Sequence, residues 1–179
     1  MLVARAASPE ASFGDAVGDA CTELASHVHT CVPDVADEAS VDQTVSAVVV
    51  ETGGLNLLVV DGAGLFAQAG LRACLDAAWN VTRAVVNHAF LSADPSPDPR
   101  RIVYLAPPPG MGEHADAARA GLENLGRTLS IEWARHGITV VTIAPGAKTP
   151  AGEVAALCAY LASPAGDYFS GCLLDLRGI

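Results

Sequence analysis

The sequence predicts an α/β fold with a parallel sheet. Three observations carry that prediction. Strand-like and helix-like stretches alternate along the chain, a short fully apolar run is bracketed by turn residues, and two long helical patterns occupy the second half. Met1 to Ala6 reads as a first strand. Ser12 to Ala25 reads as a helix, with Ala16, Val17, Ala20, Cys21 and Leu24 at helical spacing. His27 to Val32 alternates like a strand, 33–37 is a loop, and Ser40 to Val50 is a helix stopped by Gly53 and Gly54. Leu55 to Val60 is a buried strand and Leu71 to Phe90 a long helix. Asp94 to Pro99 holds three prolines and forms a turn that no helix crosses. Ile102 to Ala106 is a strand ended by Pro107, Pro108, Pro109 and Gly110. Glu113 to Arg135 is the second long helix. Thr139 to Ala144 (strand), Gly152 to Ala162 (helix) and Cys172 to Leu176 (strand) complete about six strands.

Composition narrows the function classes. The 179 residues suit one domain, 1–179, and 51% hydrophobic against 17% charged residues mark a globular chain. A formal net charge of −10 repels polyanions, so nucleic acid is not an expected partner. No apolar run is long enough for a bilayer span and no secretory leader is evident, so neither membrane nor export is expected, and the expected location is cytoplasmic. Cys21, Cys31, Cys74, Cys158 and Cys172 lack a C-x-x-C spacing and are expected to be buried thiols in a reducing compartment.

From Leu55 to Gly178 the frame resembles the short-chain dehydrogenase/reductase family. The stretch 120–134 (AGLENLGRTLSIEWA) is similar to the family's catalytic helix, and Gly137 to Val141 with Ala144, Pro145 and Gly146 is similar to the strand and Pro-Gly turn after it. That resemblance implies a Rossmann-like sheet with helices on both faces. The family frame has seven strands, so one strand–helix unit is missing near the N-terminus. The likeness of residues 34–37 to the turn after the family's third strand points to loss of the second strand and its helix. Loss of the first strand would leave two unpaired ladders mid-sheet.

The resemblance also implies where chemistry would sit, and those positions hold other residues. The family's glycine turn, which lets backbone N–H groups approach a pyrophosphate, corresponds to 4–14, where Gly14 alone remains and Arg5 and Glu10 intrude. Arg5 as a phosphate clamp would not replace a nest of N–H groups. The positions for Asn, Ser, Tyr and Lys fall on Cys74, Pro107, Ala115 and Arg119. His114, one residue before the Tyr position, is expected to be an exposed helix-start residue. Five residues on a helix turn it roughly 140° from Arg119, and Arg119 is no base. Gly62 to Ala67 matches G-x-G-x-x-A but lacks the later acidic residue a ribose needs, and is expected to be a tight turn. His27 and His29 share a strand face without an evident third ligand, so no metal site is expected. Little chain separates Pro145-Gly146 from the last helix, leaving no room for a substrate lid.

The expectation is therefore a non-catalytic subunit, with no catalytic, cofactor-binding or metal residues of its own, that assembles with an active short-chain dehydrogenase paralogue in a hetero-oligomeric oxidoreductase. Any NAD(P) would be held by the partner chain. A homo-oligomer, an NAD(P)-dependent oxidoreductase with a rebuilt site, and a small-ligand module using the vacated cleft stay open. In the family the two long helices and the last strand build subunit contacts. The expected interface residues are Leu75, Trp79, Arg83, Ala118, Gly121, Leu122, Leu125, Leu129, Trp133, Phe169 and Leu173.

Overall fold

A computed structural model of the chain describes residues 1–7, 12–24, 26–34, 37–91 and 99–177. Six parallel strands form one sheet: β1 (Leu2–Ala4), β2 (His29–Cys31), β3 (Leu57–Asp61), β4 (Arg100–Leu105), β5 (Ile138–Ala144) and β6 (Cys172–Asp175), in the order β2-β1-β3-β4-β5-β6. β1 keeps a partner on each edge: Leu2 is in register with His29 on one side and Leu58 on the other. The first strand is thus retained, and β2 lies directly beside it. The strand–helix unit missing from the seven-stranded frame leaves no gap in the ladder.

Among the described residues five helices cover the two faces: α1 (Gly14–Glu23), α2 (Glu38–Thr52), α3 (Gly62–Val85), α4 (Ala115–Glu132) and α5 (Ala151–Ala162). Alternate strand residues point to opposite layers. Leu58, Val60, Ile102, Tyr104 and Val140 face α2, α3 and α4, meeting Val45, Val81 and Leu122. Leu57, Val59, Val103, Leu105 and Ile143 face α1 and α5, meeting Val17, Cys21, Val154 and Leu161. Both faces are covered, which is why β3 is apolar almost without interruption.

Helix boundaries follow local chemistry. Asp37 caps α2 by accepting from the N–H groups of Ala39 (3.0 Å) and Ser40 (3.2 Å), and Gly53 closes it in the left-handed region at φ 73°. The segment from Gly62 to Ala67 is the first part of α3, not a tight turn. Asp61 caps it through Gly64 N–H (3.1 Å), and non-helical Gly70, at φ 78°, kinks α3 just before the stretch from Leu71. The far end of α3 widens into a π-turn over Val86–Phe90, closed by Leu91 N–H to the Val86 carbonyl (2.8 Å). His114, the residue before α4, holds φ 68°, and a short 3₁₀ turn at Ala134–His136 follows the helix. Most of the predicted Asp94–Pro99 turn lies outside the described residues.

Polar ties lock the layers. The buried Tyr104 hydroxyl pairs with Thr82 Oγ1 at 2.9 Å, joining β4 to α3, and burial pushes the phenol well above its usual pKa. Arg83 bridges α3 to α2 through Glu38 and Asp42, both at 2.7 Å. Arg101 at the start of β4 pairs with Asp167 beyond α5. No helix among the described residues is long and apolar enough to cross a membrane.

Candidate functional site

Ligands of doubly wound sheets settle outside the carboxyl ends of the strands, where the strand order reverses. Here that point lies between β1 and β3, which are neighbours in the sheet but are followed by helices on opposite faces. Its centre is Asp61, the last residue of β3, with no exposed surface. Asp61 Oδ2 accepts from Ser12 Oγ (2.5 Å), Phe13 N–H (2.9 Å) and Gly14 N–H (2.9 Å), while Oδ1 accepts from Gly64 N–H (3.1 Å). Burial raises its carboxyl above the usual range, and the Ser12 hydroxyl and these three N–H groups oppose that rise. Phe13 and Gly14 begin α1, so the carboxylate sits on the positive end of that helix.

The approach depends on missing side chains. A Cβ on Gly14 would lie 3.0 Å from Arg5 Cβ and 3.3 Å from Asp61 Oδ2; one on Gly64 would lie 3.0 Å from Oδ2. Arg5, just after β1, turns toward Asp15 on α1 at 3.4 Å. Two N–H groups at the start of α1, those of Phe13 and Gly14, already serve Asp61, and a second anion beside an ionised Asp61 is repelled. The described residues of this site do not fit a dinucleotide phosphate.

The other half of the cleft is filled from α4. Arg119 is 8% exposed, and its Nη1 donates to the Pro107 carbonyl (2.7 Å) and the Pro145 carbonyl (2.8 Å). It clamps the segments that follow β4 and β5. Burial, then the nearby Arg177, lowers its pKa, yet a guanidinium remains charged. Ala115 is 2% exposed and Pro107 is buried. Cys74 Sγ donates to the Gly62 carbonyl at 3.3 Å, and burial pushes its thiol up to about 12. Cys74 thus lies beside Gly62 after β3, while Arg119 meets Pro107 after β4 and Pro145 after β5, and none of Cys74, Pro107, Ala115 and Arg119 is suited to accept or release a proton near neutrality. His114 is exposed and faces Glu113 at 3.5 Å. Among the described residues no group of three or more His, Cys, Asp or Glu could hold a metal ion. The loop from Pro145 to Pro150 leads straight into α5, so no lid spans the cleft there.

The expected interface residues divide. Ala118, Leu122 and Leu129 are buried in the chain's own core, and Arg83 pairs with Glu38 and Asp42 on α2. Leu75, Gly121, Leu125, Trp133, Phe169 and Leu173 are half-buried, and Trp79 is 42% exposed. Leu75 packs so closely on Gly121 that a Cβ there would meet its methyl carbons at 2.9 Å. The sequence reading missed Ile131, 78% exposed on α4. It also missed Asp61, although an Asp before a helical apolar pattern is a capping signal.

No family model matches the sequence. Solved structures do. A double mutant of a Serratia marcescens short-chain dehydrogenase/reductase superposes with a TM-score of 0.76 at 19% identity, covering 98% of this chain and 94% of that one. A short chain dehydrogenase from Mycobacterium smegmatis gives 0.72 at 21% identity over 98% and 91%. A citronellol catabolism dehydrogenase from Pseudomonas aeruginosa gives 0.65 at 27% identity over 87% and 74%. The chain has the short-chain dehydrogenase/reductase fold, built here on six strands in 179 residues.

Proposed function

We propose that this chain is a non-catalytic subunit that assembles with an active short-chain dehydrogenase relative and stabilises or completes that relative's oligomer. One observation carries the reading: the position aligned with the family's lysine holds Arg119, and its guanidinium is bound to two backbone carbonyls inside the cleft. The group at the centre of the former reaction site has become a brace. A proton-transfer site needs a titratable group within reach of substrate. Ala115, Pro107 and the buried Cys74 offer none poised near neutral pH.

The partner surface in this reading is the outer side of α3 and α4. Trp79, Leu75 and Ile131 present apolar surface there, and the exposed small residues Ala117 and Ala120 allow close approach of a second helix pair. Phe169 and Leu173, near β6, form a second contact. Any nicotinamide nucleotide in the assembly is held by the partner.

The test is co-expression with a full-length short-chain dehydrogenase from the same genome, followed by native mass spectrometry. The expected result is a stable mixed oligomer that Trp79→Glu with Ile131→Glu disperses. A chain that stays monomeric beside every such relative contradicts the proposal.

A further inference from the structure

We infer that Asp61 is the chain's own substitute for a bound phosphate, and that its carboxylate, seated on the first turn of α1, keeps dinucleotides out of the crevice. The inference goes beyond the assembly reading and is independent of it. Three features carry it. The donors that converge on Asp61 come from Ser12, Phe13 and Gly14, 47 to 49 residues away in sequence, so the contact is tertiary and not a local cap alone. Those donors are the hydroxyl and N–H groups at a helix start after the first strand, where a doubly wound fold receives an anion. No cation is paired with the carboxylate: among the described residues Arg5, the basic side chain beside Gly14, faces Asp15 instead. Asp61 is thus held by N–H dipoles and a hydroxyl, as a phosphate would be.

The same geometry explains two glycines. Gly14 and Gly64 flank the carboxylate, and a Cβ on either would come within 3.3 Å of Oδ2. The negative charge is also felt by its neighbour, because Asp61 adds to burial in raising the Cys74 thiol.

The experiment is anion rescue in the full chain. Thermal unfolding of the parent chain, Asp61→Ala and Asp61→Asn is followed in sodium chloride, sodium formate and inorganic pyrophosphate at matched ionic strength, with formamide as the neutral control. Asp61→Ala is expected to melt at least about 5 °C below the parent. Formate and pyrophosphate restore half or more of that loss, formamide does not, and the parent moves by less than about 1 °C. Asp61→Asn keeps the side-chain shape and one acceptor, so it folds where alanine fails; pyrophosphate, but not formate, stabilises it. An Asp61→Ala or, if that variant does not fold, an Asp61→Asn protein indifferent to pyrophosphate overturns the inference. So does a parent chain that pyrophosphate stabilises as strongly as the variants.

Discussion

Replacing Arg119 by alanine removes both ends of a brace between the segments after β4 and β5. Two charge-assisted hydrogen bonds are lost, at 2.7 and 2.8 Å, and two buried carbonyls are left without that donor. Such bonds contribute about 1.5–3 kcal/mol each, but desolvating the guanidinium offsets part of this, so the net loss is about 2–4 kcal/mol. For a domain of this size each kcal/mol corresponds to about 2–4 °C, which places the fall in Tm at roughly 4–16 °C. Arg119→Lys keeps a charge but not the fork, and recovers at most about half of the loss. Urea unfolding read by far-UV circular dichroism supplies the free energy, and an unchanged slope shows that the unfolded state is the same. An Arg119→Ala protein within about 0.5 kcal/mol of the parent would refute the brace and with it the reading of α4 as a structural element.

Gly62→Ala should cost about 1–3 kcal/mol, because its Cβ would fall 2.6 Å from Leu122 Cδ1 and 2.8 Å from the Leu105 carbonyl oxygen, a backbone atom with little freedom to retreat. Tyr104→Phe should lose about 1–2 kcal/mol in denaturant titration, since it strands the buried Thr82 hydroxyl. His114→Gly should stabilise by roughly 1 kcal/mol, because φ 68° strains any side chain at that position. Asp42 is held below its ordinary carboxylate value by the Arg83 hydrogen bond, with His88 adding to it. Its contribution is therefore present above the unfolded carboxylate pKa and lost as pH falls through the lowered folded value. Arg83→Met should flatten that acid limb in a stability–pH series and leave the neutral region less changed in slope.

The sheet was legible because burial leaves a local trace. Leu57 to Val60 is apolar on both faces, and Pro107 to Gly110 and Pro145-Gly146 punctuate the strand ends. The two long helices announced themselves through apolar spacing at Val81, Leu122 and Leu129. The clamp at Arg119 left no such trace. Its partners are carbonyls 12 and 26 residues away, and a carbonyl belongs to every residue type. The same holds for Asp61, whose partners are mainly N–H groups brought in by α1. The family resemblance marked four positions that hold other residues, but it could not show what Asp61 and Arg119 bind. Nor did periodicity separate core from surface on α4, since Leu122 and Ile131 are equally apolar but lie at 0% and 78% exposure.

The most direct test of the central claim is an isothermal titration of NADH and of NADPH into the purified chain. The account predicts no saturable heat up to millimolar nucleotide, since it assigns Asp61, on the N–H groups that begin α1, the place of a bound phosphate. A one-to-one isotherm with a micromolar Kd, lost on mutation of residues around Asp61, would contradict it.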